Sequence, residues 1–360
     1  MDLDLETFLT TLYVMTDDWY QKVIVPKLPV CGGPAPKLCD SEVLCLALAA
    51  QWRSGVPWQT ERGFVRYALK HLRPFFPGMT SQSAFNRRVR RLWGAFILLQ
   101  MAISGELLTP EDCEVLDCVP VRVAHGSRSF HPGWLADIAA IGKGGNDRYF
   151  YGLHLLLVVS ASGLPTGWTL AAGNVQDRWL LELLLSARSG QPQLTGPGKP
   201  TGELHGEPPT AWIGPAQGSG INNHRLLIAD PGFAGRLWSE HWATDYAAEI
   251  VTLPSETDHP WFSALRQVVE TTFANLCGSF GLQYPGAHTT WGLITRIAAK
   301  LAAYALGIQI NRSLGRPDFA FPTLIVAGGV SGFSPVKNLR VDGGSAKLGQ
   351  LRYWRLTWCA

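Results

Sequence analysis

Three acidic residues occupy places in the chain where a carboxylate has a use beyond solubility: Asp117, Asp230 and Glu270. Asp117 interrupts Glu114-Val-Leu-Asp-Cys-Val-Pro120, a run whose apolar residues suit burial on both faces of a sheet. A buried carboxylate needs a partner or a cation. Asp230 ends the run Arg225-Leu-Leu-Ile-Ala-Asp230 and precedes Pro231-Gly232, which puts it at the carboxyl end of a strand, where open α/β sheets place their sites. Glu270 follows Arg266 by one helical turn, beside an apolar stripe of Val269, Phe273 and Leu276. Each also has an ordinary structural reading. Asp117 suits a strand end bonding a turn, Asp230 an Asx-turn or helix cap, and Glu270 an i, i+4 pair with Arg266 worth about a few tenths of a kcal/mol.

Together the three are hard oxygen donors of the kind that hold Mg²⁺ or Mn²⁺, two ions in all. Phosphodiester displacement gains from such a pair, because negative charge develops on both the attacking and the leaving oxygen in line with phosphorus. The softer donors offer no rival site. The nine histidines lack H-E-x-x-H spacing, and the seven cysteines are an odd number with no C-x-x-C pair. That pattern argues against a zinc ribbon and a disulfide framework, and fits reduced thiols in the cytoplasm.

Short apolar runs between turn residues begin after Leu108 and predict the elements that must carry these carboxylates. Strands are expected at Glu114 to Val119, Tyr149 to Ser160 and Leu164 to Ala172, the last two joined as a hairpin by Ala161-Ser-Gly. A helix from Asp177 to Ala187 follows. Next come a strand from His224 to Ala229, a helix from Ala234 to Thr244, a strand from Ala248 to Leu253, and helices from Trp261 to Cys277 and Trp291 to Arg312. Three strands, then helix, strand, helix, strand and more helix is the element order of a ribonuclease-H-like sheet, and other α/β folds share it. The segment 189–223 is rich in Gly and Pro and reads as a long loop or insert.

Residues 1–108 differ in kind. Their apolar residues recur at threes and fours, as in Leu5, Phe8, Leu12 and Met15, which predicts an all-helical region of four helices. The last starts at Thr80 or Ser81, both good caps, and runs on to Trp93. It carries Arg87, Arg88, Arg90 and Arg91, after Arg62, Arg66, Lys70 and Arg73 at helical spacing. Such clustering is an electrostatic footprint for a polyanion, and equally the solvated face of a bundle. The net charge of +3 carries no such argument by itself. No stretch of about eighteen consecutive apolar residues occurs and the N-terminus is acidic, so a soluble, cytoplasmic protein with no membrane partner is expected.

Several segments, in order, resemble the bacterial insertion-sequence transposases with an Asp-Asp-Glu catalytic domain. In the helical third these are Met15-Thr-Asp-Asp-Trp19, Leu38-Cys-Asp-Ser-Glu-Val-Leu44 and Phe85-Asn-Arg-Arg-Val-Arg-Arg-Leu92. Beyond it they are Leu116-Asp-Cys-Val-Pro120, Tyr149-Phe-Tyr-Gly-Leu-His154, Ile228-Ala-Asp-Pro-Gly-Phe233, Arg266-Gln-Val-Val-Glu-Thr-Thr-Phe273 and Trp291-Gly-Leu-Ile-Thr-Arg296. The chain departs from that pattern at Gly152 and Pro231, where lysine is more usual.

The resemblance implies a ribonuclease-H-like mixed α/β sheet flanked by helices, spanning 109–316, behind an all-helical DNA-binding domain at 1–108; residues 317–360 form an extension of unassigned role. It implies Asp117, Asp230 and Glu270 as metal-binding catalytic triad, with Arg266 as a basic contact to DNA. Arg87, Arg88, Arg90, Arg91 and His154 are the other expected DNA contacts, although a strand histidine is more often a core hydrogen-bonder. The partners implied are double-stranded DNA, as terminal inverted repeats and target, and a second copy of the chain, since two element ends must meet. The expected location is the nucleoid. Two other readings stay open: a ribonuclease-H-like nuclease without strand transfer, and a DNA-binding remnant without catalysis.

Overall fold

The computed structural model describes residues 2–27, 36–109, 113–124, 133–144, 149–189, 212–213, 225–252 and 260–326. Helices come first: α1 (Leu5–Trp19), α2 (Asp40–Ala49), α3 (Glu61–Tyr67), α4 (Gln82–Arg91) and α5 (Trp93–Leu107). Asp4 caps α1 by accepting from the Thr7 amide at 2.8 Å, and Ser81 caps α4 as its residue type predicts. Where the sequence predicts one helix across Trp93, the chain makes two. Leu92 leaves helical geometry at ψ 13°, closing the polar, arginine-rich α4 and opening the apolar α5, which buries Phe96, Leu99 and Ile103. The two helices have incompatible surfaces, and a break between them lets one face solvent while the other enters the core.

The sheet follows: β1 (Cys113–Arg122), β2 (Ala140–Lys143), β3 (Tyr149–Ser160), β4 (Pro165–Ala172), β5 (Trp212–Ile213), β6 (Arg225–Ala229) and β7 (Ala248–Thr252). Its order is β5-β4-β3-β1-β6-β7, with β2 paired to β3. β3 runs antiparallel to both of its neighbours, β1 and β4, whereas β6 and β7 run parallel to β1. Parallel neighbours need crossovers, and helices α6 (Asp177–Arg188) and α7 (Arg236–Tyr246) supply them. β2 and β5 are additions to the predicted strands; four and two residues long, they are too short to give a periodic signal. Most of the Gly/Pro-rich segment 189–223 and all of 327–360 lie outside the described residues.

Alternation along the strands sends side chains to two layers. Leu116, Leu156, Val158 and Ala171 join Leu180, Leu181 and Leu184 of α6 and Trp238 and Trp242 of α7 in one core. On the opposite face lie α8 (Pro260–Gly278) and α9 (Thr290–Ser313), which packs along α5. α9 is long and apolar enough to cross a membrane by composition, yet 89% of its most apolar window is buried inside the fold, as in a core helix. Glu182 at the centre of α6 is fully buried and accepts from Trp242 Nε1 at 3.0 Å and Tyr246 Oη at 2.6 Å, with His241 Nε2 also 3.0 Å away. That network ties α6 to α7 behind the sheet's carboxyl edge.

Candidate active site

The ladder between β1 and β6 pairs Cys113 with Leu226, Glu114 with Leu227 and Val115 with Ile228. Asp117 and Asp230 each lie two residues past that last pair, so parallel register brings the two aspartates to the same level on adjacent strands. Asp117 lies between Leu116 and Cys118, which both pack on the α6 side, so its own side chain faces α8. Its carboxylate accepts from the Cys118 amide at 2.7 Å. Burial pushes the Asp117 pKa up to about 6; that amide pulls against the rise, while the charges of Asp230 and Asp177 add to it and Arg266 opposes them. Burial likewise holds the Cys118 thiol well above its usual range.

Asp230 leads out of β6 into a short 3-10 turn, Pro231–Phe233, and caps it by accepting from the Gly232 amide. Proline suits this first turn position because no backbone N–H is needed there. The other departure from the transposase pattern also has a local reason. A Cβ at Gly152 would meet the Val121 carbonyl oxygen at 2.1 Å, so this strand junction admits no side chain of any kind.

α8 packs over β1 and β6 and carries Arg266 and Glu270 on one side. Arg266 acts on Asp117 electrostatically and lies 3.7 Å from Glu270 Oε1, a loose i, i+4 pair. The Glu270 side chain is 61% exposed. Thus Asp117, Asp230 and Arg266 are brought into one neighbourhood, and Glu270 is connected to the aspartates through Arg266. Among the described residues no three Asp, Glu, His or Cys side chains are gathered about one point as they stand. The donor chemistry nevertheless suits a hard divalent ion, since Asp117 and Asp230 offer two carboxylates at the same level of adjacent strands.

The remaining expected contacts divide. His154 on β3 is mostly enclosed, its Nδ1 3.4 Å from the Val175 carbonyl and 3.7 Å from Asp177 Oδ1. On α4, Arg88 is occupied inside the protein, donating to the Leu38 carbonyl and to Asp40. Arg90 is half-buried, while Arg87 and Arg91 are exposed. Lys37, Thr80, Arg87, Arg88 and Arg91 line a cleft of about 680 Å³ between α4 and the chain entering α2. Sequence reasoning passed over Asp177, because an acidic residue in a helix's first turn is ordinary there. It also passed over Arg178, which donates to the Gly232 carbonyl at 3.2 Å and steadies the turn after Asp230.

Cys39, Cys45, Cys118 and Cys277 stand outside any disulfide. No protein-family model, curated protein or solved structure matches the chain.

Proposed function

We propose that this chain is a metal-dependent DNA transposase with a ribonuclease-H-like catalytic core behind a helical DNA-binding region, acting as a homodimer on the nucleoid. The observation that carries the reading is the pairing of Asp117 with Asp230 on neighbouring parallel strands, under a helix that presents Arg266 and Glu270. The element order, three antiparallel strands followed by two parallel ones reached through helices, supports the same core.

Asp117, Asp230 and Glu270 would hold Mg²⁺ or Mn²⁺. When bound, the ions neutralise charge at both ends of an in-line phosphodiester displacement. Arg266 contacts a phosphate oxygen near the scissile bond, and the low-dielectric flank of β1 strengthens that contact. Arg87 and Arg91 hold backbone phosphates of the terminal repeat. Water cuts the strand first, releasing a 3′-hydroxyl that then attacks target DNA at the same place.

A second reading, a DNA-binding remnant without catalysis, draws on the outward Glu270. One experiment separates them. The purified chain is incubated with DNA bearing the repeats that flank its gene, with and without Mg²⁺ or Mn²⁺, beside Glu270→Gln. Metal-dependent nicking and joining that the substitution abolishes supports the transposase. Nicking without joining points to a nuclease, and a footprint without nicking to the remnant.

A further inference from the structure

Along α4, Ala84, Arg87 and Arg91 follow one another at three- and four-residue spacing and so share a face, and that face lines the cleft of about 680 Å³. The chain entering α2 forms the other wall, with Lys37 and Leu38. Two contacts hold these walls in place. A Cβ at Gly78 would meet the Lys37 carbonyl oxygen at 2.0 Å, so the turn before α4 presses on this stretch with no side chain between, and Arg88 donates to the Leu38 carbonyl and to Asp40. The cleft is therefore formed before anything enters it.

Its charge is one-sided. Among the described residues that line it the acid is Asp40, and Arg88 already neutralises that carboxylate. Lys37, Arg87 and Arg91 make no ion pair with another described residue, which leaves three cations around one space. Arginines on a merely solvated helix face have no need of a lysine across a cleft, and the repulsion among such cations is offset when an anion lies between them. Much of the rest of the lining is apolar: Pro36, Leu38, Ala84 and Leu92. An inorganic anion has no use for that wall, whereas a nucleotide brings both a phosphate and a flat base. The volume lies within the range of about 300–1,000 Å³ that small organic ligands occupy, and a duplex does not enter a space of that size.

We propose that this cleft is a nucleotide site, which takes one unpaired nucleotide with its phosphate among Arg87, Arg91 and Lys37 and its base against the apolar wall. The inference rests on α4 as a DNA contact in the reading above and deepens it: the helix holds an overhanging nucleotide of any base at the repeat, and not only the outside of a duplex. A free nucleotide carries the same chemistry, and the test separates the two sources.

The full chain is titrated, at fixed salt and without divalent ions, into two fluorescent DNAs followed by anisotropy: a blunt duplex of the repeat, and the same duplex with a short unpaired overhang. The overhang is expected to bind about 10-fold tighter. Ala84→Leu, which fills the cleft and keeps every charge, should abolish that preference. Lys37→Glu on the opposite wall should lower it as well, and serves if Ala84→Leu fails to fold. In competition dAMP should displace the overhang where inorganic phosphate at the same concentration does not, and calorimetry reads dAMP binding directly. A preference that survives both variants places the unpaired nucleotide elsewhere and overturns the proposal. Phosphate competing as well as dAMP overturns it too, since the apolar wall would then contribute nothing. Equal binding of the two DNAs, with dAMP bound by the wild type and lost in Ala84→Leu, upholds the site and assigns it to a free nucleotide; with no dAMP bound, it overturns the site and leaves the DNA reading standing. A chain that binds neither DNA nor dAMP sinks both.

Discussion

Arg188 closes on Glu114 with both terminal nitrogens, Nη1 at 2.8 Å from Oε2 and Nη2 at 3.1 Å from Oε1, where both side chains are about nine-tenths buried. β1 therefore carries two carboxylates with opposite fates. Glu114 is neutralised from within by α6, and Asp117, three residues on, stands at the sheet's carboxyl edge among other acids. The first belongs to the fold and the second to the site.

Breaking the first pair should cost stability alone. Arg188→Ala leaves Glu114 charged and buried, so urea unfolding should show a loss of about 3–5 kcal/mol. The double replacement Arg188→Met with Glu114→Leu should recover most of it. A single variant as stable as the wild type would show that water reaches Glu114.

Asp117 should make stability depend on pH. Its pKa is raised in the folded chain to about 6, above the ordinary 3.8, so between those values the native state holds more protons than the unfolded one. Wild-type stability then falls as pH rises through that window and levels off above it. Measured in chelator, Asp117→Asn should overtake the wild type by roughly 1–3 kcal/mol above pH 6. Parallel curves for the two proteins would count against the buried, acid-crowded setting.

Lys300 runs the other way. It is fully buried on α9, donates to Gln51 Oε1 at 3.0 Å and to the Phe280 carbonyl at 2.5 Å, and has a pKa lowered to about 7, first by burial and then by Arg53, with Glu61 and Cys277 opposing and Arg296 adding. Here the unfolded chain holds the extra proton between about 7 and 10.5. Stability relative to Lys300→Met should climb with pH across that range, by at most about 1.4 kcal/mol per unit. Unfolding curves at several pH values decide it.

The four arginines of α4 should separate into two groups. Arg88→Ala unhooks α4 from Leu38 and Asp40 and should lower thermal stability. Arg87→Ala with Arg91→Ala should leave stability alone and weaken binding to DNA of any sequence, lowering the salt slope by about 2. An unchanged slope would remove this helix from the interface.

Under the proposed transposase reading, in which Arg266 meets the phosphate at the scissile bond, Arg266→Ala should reduce nicking by about tenfold or more while repeat binding changes little. Loss confined to binding would relocate Arg266 to a general backbone contact.

Much of this protein is legible along the chain because its signals are local. The apolar run of β3, the hairpin at Ala161-Ser-Gly, the Ser81 cap and the strand ending at Asp230 each depend on neighbours within a few residues, and periodicity and turn chemistry record them. The hard oxygen donors among its acidic residues are legible there too, and they are what the proposed cation chemistry starts from. What tertiary structure decided is which charges meet. Glu114 is a neutralised acid only because α6 returns to β1, Arg88 is spent because α4 crosses the start of α2, and Arg178 reaches the Gly232 carbonyl because a crossover helix begins beside a strand end. Electrostatic partners are set by distance in space, and a residue's neighbours along the sequence carry almost no record of that.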